Sequence, residues 1–182
     1  MDRNLGATSP LPGEVGALGL LYQHHRKDPF LGSSSIQESV EAKSTIIWPS
    51  YVIANSYYGT VQYSIENPTT FICCDPWNME GSKFDWLYGW NEDAKWGRIK
   101  TMYDPCPPGW RIPDGDFWEN ASFADSTYDK ANKGLFVKLL DSGIAWYPTS
   151  GNQSGEYGGL RYSGEFGFYW SLWSTLSLFF SS

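Results

Sequence analysis

The side chains of this chain that could hold a metal or act as nucleophiles are few: the adjacent histidines His24 and His25, the adjacent cysteines Cys73 and Cys74, and the oxygen-rich run Trp90-Asn91-Glu92-Asp93. Spacing decides what each can do. Neighbours on a helix diverge by about 100°. His24 and His25 fall on a helix predicted over 14–26, so they cannot easily share an ion, and one is expected to pack while the other is solvated. Cys73-Cys74 lacks the intervening pair of residues that lets two sulfurs face one point in zinc knuckles and thioredoxin-like sites. Buried, unreactive thiols are expected there. The run 90–93 has neither the loop glycine nor the alternating carboxylates of an EF-hand and reads as a solvated acidic loop. No metal site and no cofactor is expected.

Catalysis finds little footing. The sequence contains no Gly-x-Ser-x-Gly, no phosphate loop and no His-Glu-x-x-His, the arrangements that activate a serine, cradle a phosphate or bind catalytic zinc. A glycosidase cleft is the exception, because it needs only two carboxylates about 5 to 9.5 Å apart. With 20 Asp+Glu, 10 Trp, 12 Tyr and 10 Phe the raw material for one exists.

Recognition chemistry is better represented. From Trp146 to Phe180 the chain is rich in Tyr, Trp, Ser and Gly, a mixture in which aromatics supply contact area at small entropic cost while Ser, Gly and Asn adapt. Many of these aromatics must fill the core of so small a protein. Trp146, Tyr157, Tyr162, Trp173 and Phe179 are the candidate ligand-binding residues, because each neighbours turn residues or an outward strand position. Alternation over 171–180 puts Leu172, Ser174, Leu176, Leu178 and Phe180 on a core face, with Trp173 and Phe179 among small hydroxyls on the other. Such a face is either covered or binds something.

At 182 residues the chain supports one domain, taken as 1–182 with a long loop-rich insertion over 31–100. Aromatics together with 19 Gly and 11 Pro favour short strands and turns, hence an α+β fold. A net charge of −7 with 13 Lys+Arg argues against nucleic acid, which requires clustered cations. No apolar run is long enough to span a bilayer and no signal-peptide pattern follows Met1. A leader, if the protein is exported, would lie upstream of Met1.

The elements expected along the chain are a strand end over 2–5, the helix over 14–26 closed by Asp28-Pro29, and a short helix begun by Asp114 and carrying Phe117 and Trp118. Residues 135–140 could be strand or helix, and a Gly-punctuated meander runs from Ile144. Trp77, Trp86, Trp90 and Trp96 recur without period and are expected to cover the insertion. Between Tyr103 and Pro113 lie four prolines, Cys106 and Trp110, a stiff corner that neither helix nor central strand can traverse. Trp110 is expected to anchor that corner.

Three blocks, Met-Asp-Arg-Asn-Leu-Gly-Ala at 1–7, Gly-Leu-Leu-Tyr-Gln-x-x-Arg-Lys-Asp-Pro-Phe at 19–30 and Tyr-Asp-Pro-Cys-Pro-Pro-Gly-Trp-Arg-Ile-Pro at 103–113, carry a family resemblance. Trp146-Tyr147-Pro148 and Phe168-Tyr169-Trp170-Ser171 add to it. The chain resembles the Fibrobacter succinogenes major paralogous domain and its Bacteroidetes surface-protein relatives. The resemblance implies a C-type-lectin-like fold, with two helices flanking twisted antiparallel sheets and a long loop region. It also implies a non-catalytic adhesion module of a surface or pilus-tip protein, binding a glycan or protein; some relatives look like targets of diversity-generating retroelements that vary the last segment. A carbohydrate-active enzyme and a module docking onto pilin-like subunits are the alternatives. The triplets by which calcium-dependent C-type lectins hold sugar are absent, so any sugar binding is expected to be calcium-independent. His24-His25 departs from the Trp-Gly common among relatives. The relatives' motif cysteine often meets a second in a closing strand near Arg-Cys-Val, a sequence not found here. Cys106 is therefore expected to be free or bridged to Cys73 or Cys74.

Overall fold

The computed structural model describes residues 3–32, 50–75, 86–88, 96–120, 122–138, 143–172 and 178–181. These residues form a mixed α+β protein of short strands in small, mostly antiparallel sheets, with few helices. No helix among them is long and apolar enough to cross a membrane.

The helix expected over 14–26 is not formed. In its place stand a 3-10 turn, Val15–Ala17, and a hairpin of β1, Leu21–Tyr22, with β2, Pro29–Phe30. The cause is backbone handedness. Gly19 at φ 73 and His25 at φ 64 occupy the left-handed region, which no right-handed helix passes through. A side chain at Gly19 would also press on the Leu5 carbonyl and on Asn4, so only glycine fits. Of the strand end expected at 2–5, the described residues 3–5 form no strand and lead into a turn closed by the Ala7 N–H on the Asn4 carbonyl at 3.0 Å. From that turn the Asn4 amide donates to the Leu18 carbonyl at 3.3 Å and reaches the hydroxyls of Ser150 at 3.4 Å and Tyr169 at 3.3 Å.

The hairpin delivers Gln23 and Arg26 to a β-α-β unit within the stretch read as an irregular excursion. Strand β3, Tyr51–Ile53, runs parallel to β4, Phe71–Cys73, and helix α1, Val61–Glu66, connects them. Thr60 starts α1 by accepting the Tyr63 N–H at 3.1 Å. Arg26, only 2 % exposed, ends it. Its guanidinium donates to the carbonyls of Ser64 at 3.2 Å, Asn67 at 3.3 Å, Pro68 at 3.2 Å and Thr70 at 2.9 Å, and to Gln23 Oε1 at 2.9 Å. The last carbonyls of a helix have no partner within it, and a guanidinium carries five donors in a fixed fork. Gln23 holds β4 as well, donating to the Ile72 carbonyl at 2.9 Å and accepting its N–H at 3.3 Å. Phe30 and Trp86 stack on the guanidinium at 5.0 and 5.7 Å. Burial lowers Arg26 to about 10, so it stays charged at neutral pH.

Asp104 plays the corresponding part in the proline corner. At 2 % exposure it accepts the N–H of Cys106 at 2.8 Å, the N–H of Ile112 at 3.0 Å and the Lys100 ammonium at 2.9 Å. Burial alone would raise this carboxyl; the hydrogen bonds from Lys100, Cys106 and Ile112 outweigh it and hold it below the usual range. The anchoring indole, however, is Trp96 and not Trp110. Trp96 is 1 % exposed, packs with Cys106 and Ile112, and donates to the Tyr103 carbonyl at 2.9 Å. Trp110 is 52 % exposed, because Gly109 at φ 83 and the Trp110 N–H on the Pro107 carbonyl close a turn that carries the indole outward. Trp86 is buried too, against Ala54 and Ile72, whereas Trp77 and Trp90 and the run 90–93 lie outside the described residues.

Helix α2, Gly115–Asn120, follows where Asp114 was expected to start one. The Asp114 carboxylate is taken up by Arg111 at 2.6 Å and Arg98 at 3.4 Å. Strands β5, Ser122–Asp129, β6, Gly134–Lys138, and β7, Ile144–Pro148, form an antiparallel sheet that settles residues 134–138 as strand. The meander continues with β8, Asn152–Gln153, paired to β9, Leu160–Arg161, and β10, Phe166–Tyr169, paired to β11, Leu178–Ser181. Tyr169 joins the parts: its ring meets Tyr147 edge-on at 5.0 Å and stacks on Phe180 at 6.2 Å, while its hydroxyl donates to the Pro148 carbonyl at 2.6 Å.

The histidines converge instead of diverging, since no helix separates them. Their ring centroids lie 3.7 Å apart, and His24 packs at 5.0 Å from both Trp96 and Trp170. Burial, and then the charge of His25, push His24 down to about 3. Between about pH 6.5, the ordinary histidine value, and pH 3 the unfolded chain therefore binds a proton that the folded chain refuses. The contribution is present in full above that window and is lost as pH falls through it. Urea midpoints should show a stability slope from this group approaching about 1.4 kcal/mol per pH unit between about pH 6 and 4.5, flattened in His24→Gln. Asp104 and Asp114, with depressed folded values, add their own loss only below about pH 4. For the corner, Asp104→Asn keeps the shape but removes one acceptor oxygen and the charge. A loss of about 1.5 to 3 kcal/mol in chemical denaturation is expected; an unchanged midpoint would remove Asp104 from its central role.

Candidate ligand-binding surface

A surface that binds without chemistry needs exposed aromatic and polar groups on backbone that does not move when they are used. The β8–β9 hairpin meets that requirement. Its turn is fixed from below, where the Cys74 N–H donates to the Gly155 carbonyl at 2.7 Å and the Cys74 thiol to the same oxygen at 3.2 Å. Its exit is fixed by Glu165 and Phe166, whose N–H groups donate to the Tyr162 carbonyl at 3.0 and 2.9 Å. Gly151 at φ 70 lets the strand pass against the backbone of Arg161 and Ser163, where any Cβ would collide.

Tyr162 sits at the end of β9 with φ 61 and is 39 % exposed. A bulky residue in left-handed backbone costs roughly 1–2 kcal/mol, and the hydrogen-bonded turn that follows holds it there. Its ring meets Phe166 edge-on at 5.0 Å, and the Arg161 guanidinium lies 5.1 Å from its centroid. Tyr157 is half-buried in the turn between β8 and β9. These two candidates therefore share one hairpin.

Trp146 belongs to a different sheet. It is the register partner of Phe136 across β6–β7, with ring centroids 4.7 Å apart, and its indole lies over Gly134, where a Cβ would overlap it. It is half-buried, and its indole N–H is shielded from solvent with no hydrogen-bond partner among the described residues. Phe179 is the register partner of Phe168 in β10–β11, and Trp173 lies outside the described residues.

Two aromatic groups on the surface were not singled out from sequence. Tyr57, 68 % exposed, forms a triangle with Tyr58 and Tyr63 at ring separations of 5.1 to 5.7 Å before and within α1. The Tyr57-Tyr58 adjacency behind the Asn55-Ser56 turn was the available signal. Trp170 is 36 % exposed, yet it donates to the Tyr22 carbonyl at 2.8 Å and closes over His24, so one face is structural.

The cysteines are free and buried. Of the two expectations for Cys106, a free thiol or a bridge to the insertion, the first is the one formed. Burial raises Cys73 and Cys106 to about 12 and pushes Cys74 up as well, which leaves all three as neutral thiols of low nucleophilicity. Among the described residues no group of three or more His, Cys, Asp or Glu is placed to hold a metal ion. No known protein family, no curated protein and no solved structure matches this chain.

Proposed function

We propose that the chain is a non-catalytic ligand-binding module of C-type-lectin-like organisation, which recognises a glycan or a protein at a bacterial cell surface through its aromatic-rich C-terminal region. The observation that carries this reading is Tyr162. It is an exposed aromatic held in costly backbone by its neighbours, beside a cation and a second aromatic ring. Strain of this kind is kept where a side chain must be presented in one orientation. Tyr157, in the turn of the same hairpin, belongs to the surface with Tyr162. The surface location rests on the sequence resemblance.

A glycan array probed with and without chelator tests the proposal. Saturable binding that survives chelation is expected. Tyr162→Ala should weaken it at least about tenfold with a melting temperature within about 2 °C of wild type. Trp146→Ala should instead lower the melting temperature by several degrees, as loss of a packed aromatic does. Turnover of a bound glycan would make the protein a carbohydrate-active enzyme, and binding confined to pilin-like subunits would make it an assembly module.

A further inference from the structure

We propose that the β8–β9 hairpin is a carboxylate site and that its ligand is an acidic sugar, a pyranose carrying a carboxylate such as a uronic or sialic acid. The inference rests on the binding function above and names its ligand class. Asn152 and Arg161 face each other as register partners across the two strands. Asn152 Oδ1 accepts from Arg161 Nε at 3.4 Å, and no other polar contact engages either side chain among the described residues. Both terminal Nη groups of the fork and the Asn152 amide N–H₂ are thus left for a ligand.

Three other described arginines are committed elsewhere. Arg98 and Arg111 pair with Asp114, and Arg26 is buried on carbonyls. Arg26 also donates to a neutral amide, Gln23, but is buried; Arg161 is partly exposed and oriented by the Asn152 amide, with no carboxylate of the described residues hydrogen-bonded to it. In a chain with 20 Asp+Glu against 13 Lys+Arg, an unneutralised arginine held in a fixed plane stands out. A guanidinium held at Nε presents its two Nη groups to a carboxylate in parallel, and the charge-assisted pair is about twice as strong as a neutral one. The Tyr162 ring beside it, braced by Phe166, supplies apolar surface for the C–H face of a sugar ring. A peptide C-terminus bears the same carboxylate but also needs a pocket for its last side chain. A concavity of about 490 Å³ is lined by Arg3, Leu5, Pro107 and Trp110 among others, and by none of the hairpin residues.

Immobilised oligosaccharides ending in glucuronic acid or N-acetylneuraminic acid, their carboxyl-reduced counterparts, and one peptide with a free or an amidated C-terminus separate the outcomes. The acidic sugars should bind at least about tenfold more tightly than the reduced ones, with the margin shrinking in about 0.5 M salt. Arg161→Gln should abolish the margin. Asn152→Asp, which sets a carboxylate on the fork and keeps the hairpin's cross-strand pairing, should abolish it as well, so loss of folding in the first variant leaves the test intact. Equal binding of acidic and reduced sugars, a margin that survives both variants, or preference for the free-acid peptide would overturn the proposal. Reduced sugars bound equally but lost in Tyr162→Ala would leave the binding function standing without its acidic ligand. Absence of binding to every sugar and peptide would remove both.

Discussion

A buried guanidinium to which no carboxylate of the described residues is hydrogen-bonded organises the first half of this protein. Arg26 is held by carbonyl dipoles, four from the end of α1 and the approach to β4, and by the side chain of Gln23. The carbonyls at the end of a helix have no partner within it, and Arg26 supplies one to the buried Ser64. Gln23 then grips Ile72 at the middle of β4, so two side chains three residues apart lock the β1–β2 hairpin onto the β-α-β unit. The two aromatic faces of Phe30 and Trp86 complete the cage. Burying a charge is costly unless it is hydrogen-bonded; here the two Nη groups make five such contacts, while the buried Nε has no partner among the described residues. That balance makes the position intolerant: lysine would keep the charge and lose the fork.

The same logic recurs with opposite sign at Asp104 and with a neutral amide at Asn4. Asp104 gathers the backbone of its own corner, whereas Asn4 reaches carbonyl and hydroxyl partners in distant segments. Arg26, Asp104 and Asn4 lie one in each of the three sequence blocks that carry the resemblance. The blocks are therefore the wiring of the fold, and the proposed binding surface stands on backbone they fix indirectly. Tyr169 shows the link, since its hydroxyl meets both Asn4 and the Pro148 carbonyl at the edge of the meander.

Much of the second half of the chain is legible in sequence, because Gly and Pro punctuate it at the turns and strands between them are short. The helix after Asp114, the meander from Ile144 and the buried cysteines all follow from local chemistry. The first half is not legible in that way. Val15, Leu18, Leu21 and Tyr22 have helical spacing, yet Gly19 and His25 take left-handed backbone, which spacing does not encode. Helix α1 has only six residues, too few for a periodic signal, and only Thr60 marks its start. Trp110 misled for a related reason: proline density shows that the corner is stiff but not which side of it faces the core. At the proposed binding surface, Tyr162 is identifiable from its turn neighbours, whereas the fork of Arg161 depends on cross-strand register with Asn152, a tertiary fact. The tyrosine triangle of 57, 58 and 63 closes only once α1 exists.

The dependence of the first half on Arg26 is open to direct measurement by native-state hydrogen exchange in Arg26→Lys. The amides of Ala54, Asn67 and Ile72 donate respectively to Cys73, to Tyr63 and to Gln23, so they report on the β3–β4 pair, the end of α1 and the Gln23 clamp. If Arg26 ties these together, all three should lose protection in concert, by at least about tenfold, as one cooperative unit opens. Protection unchanged at Ala54 and Ile72, with loss confined to Asn67, would reduce Arg26 to a local helix cap and contradict its place at the centre of the fold.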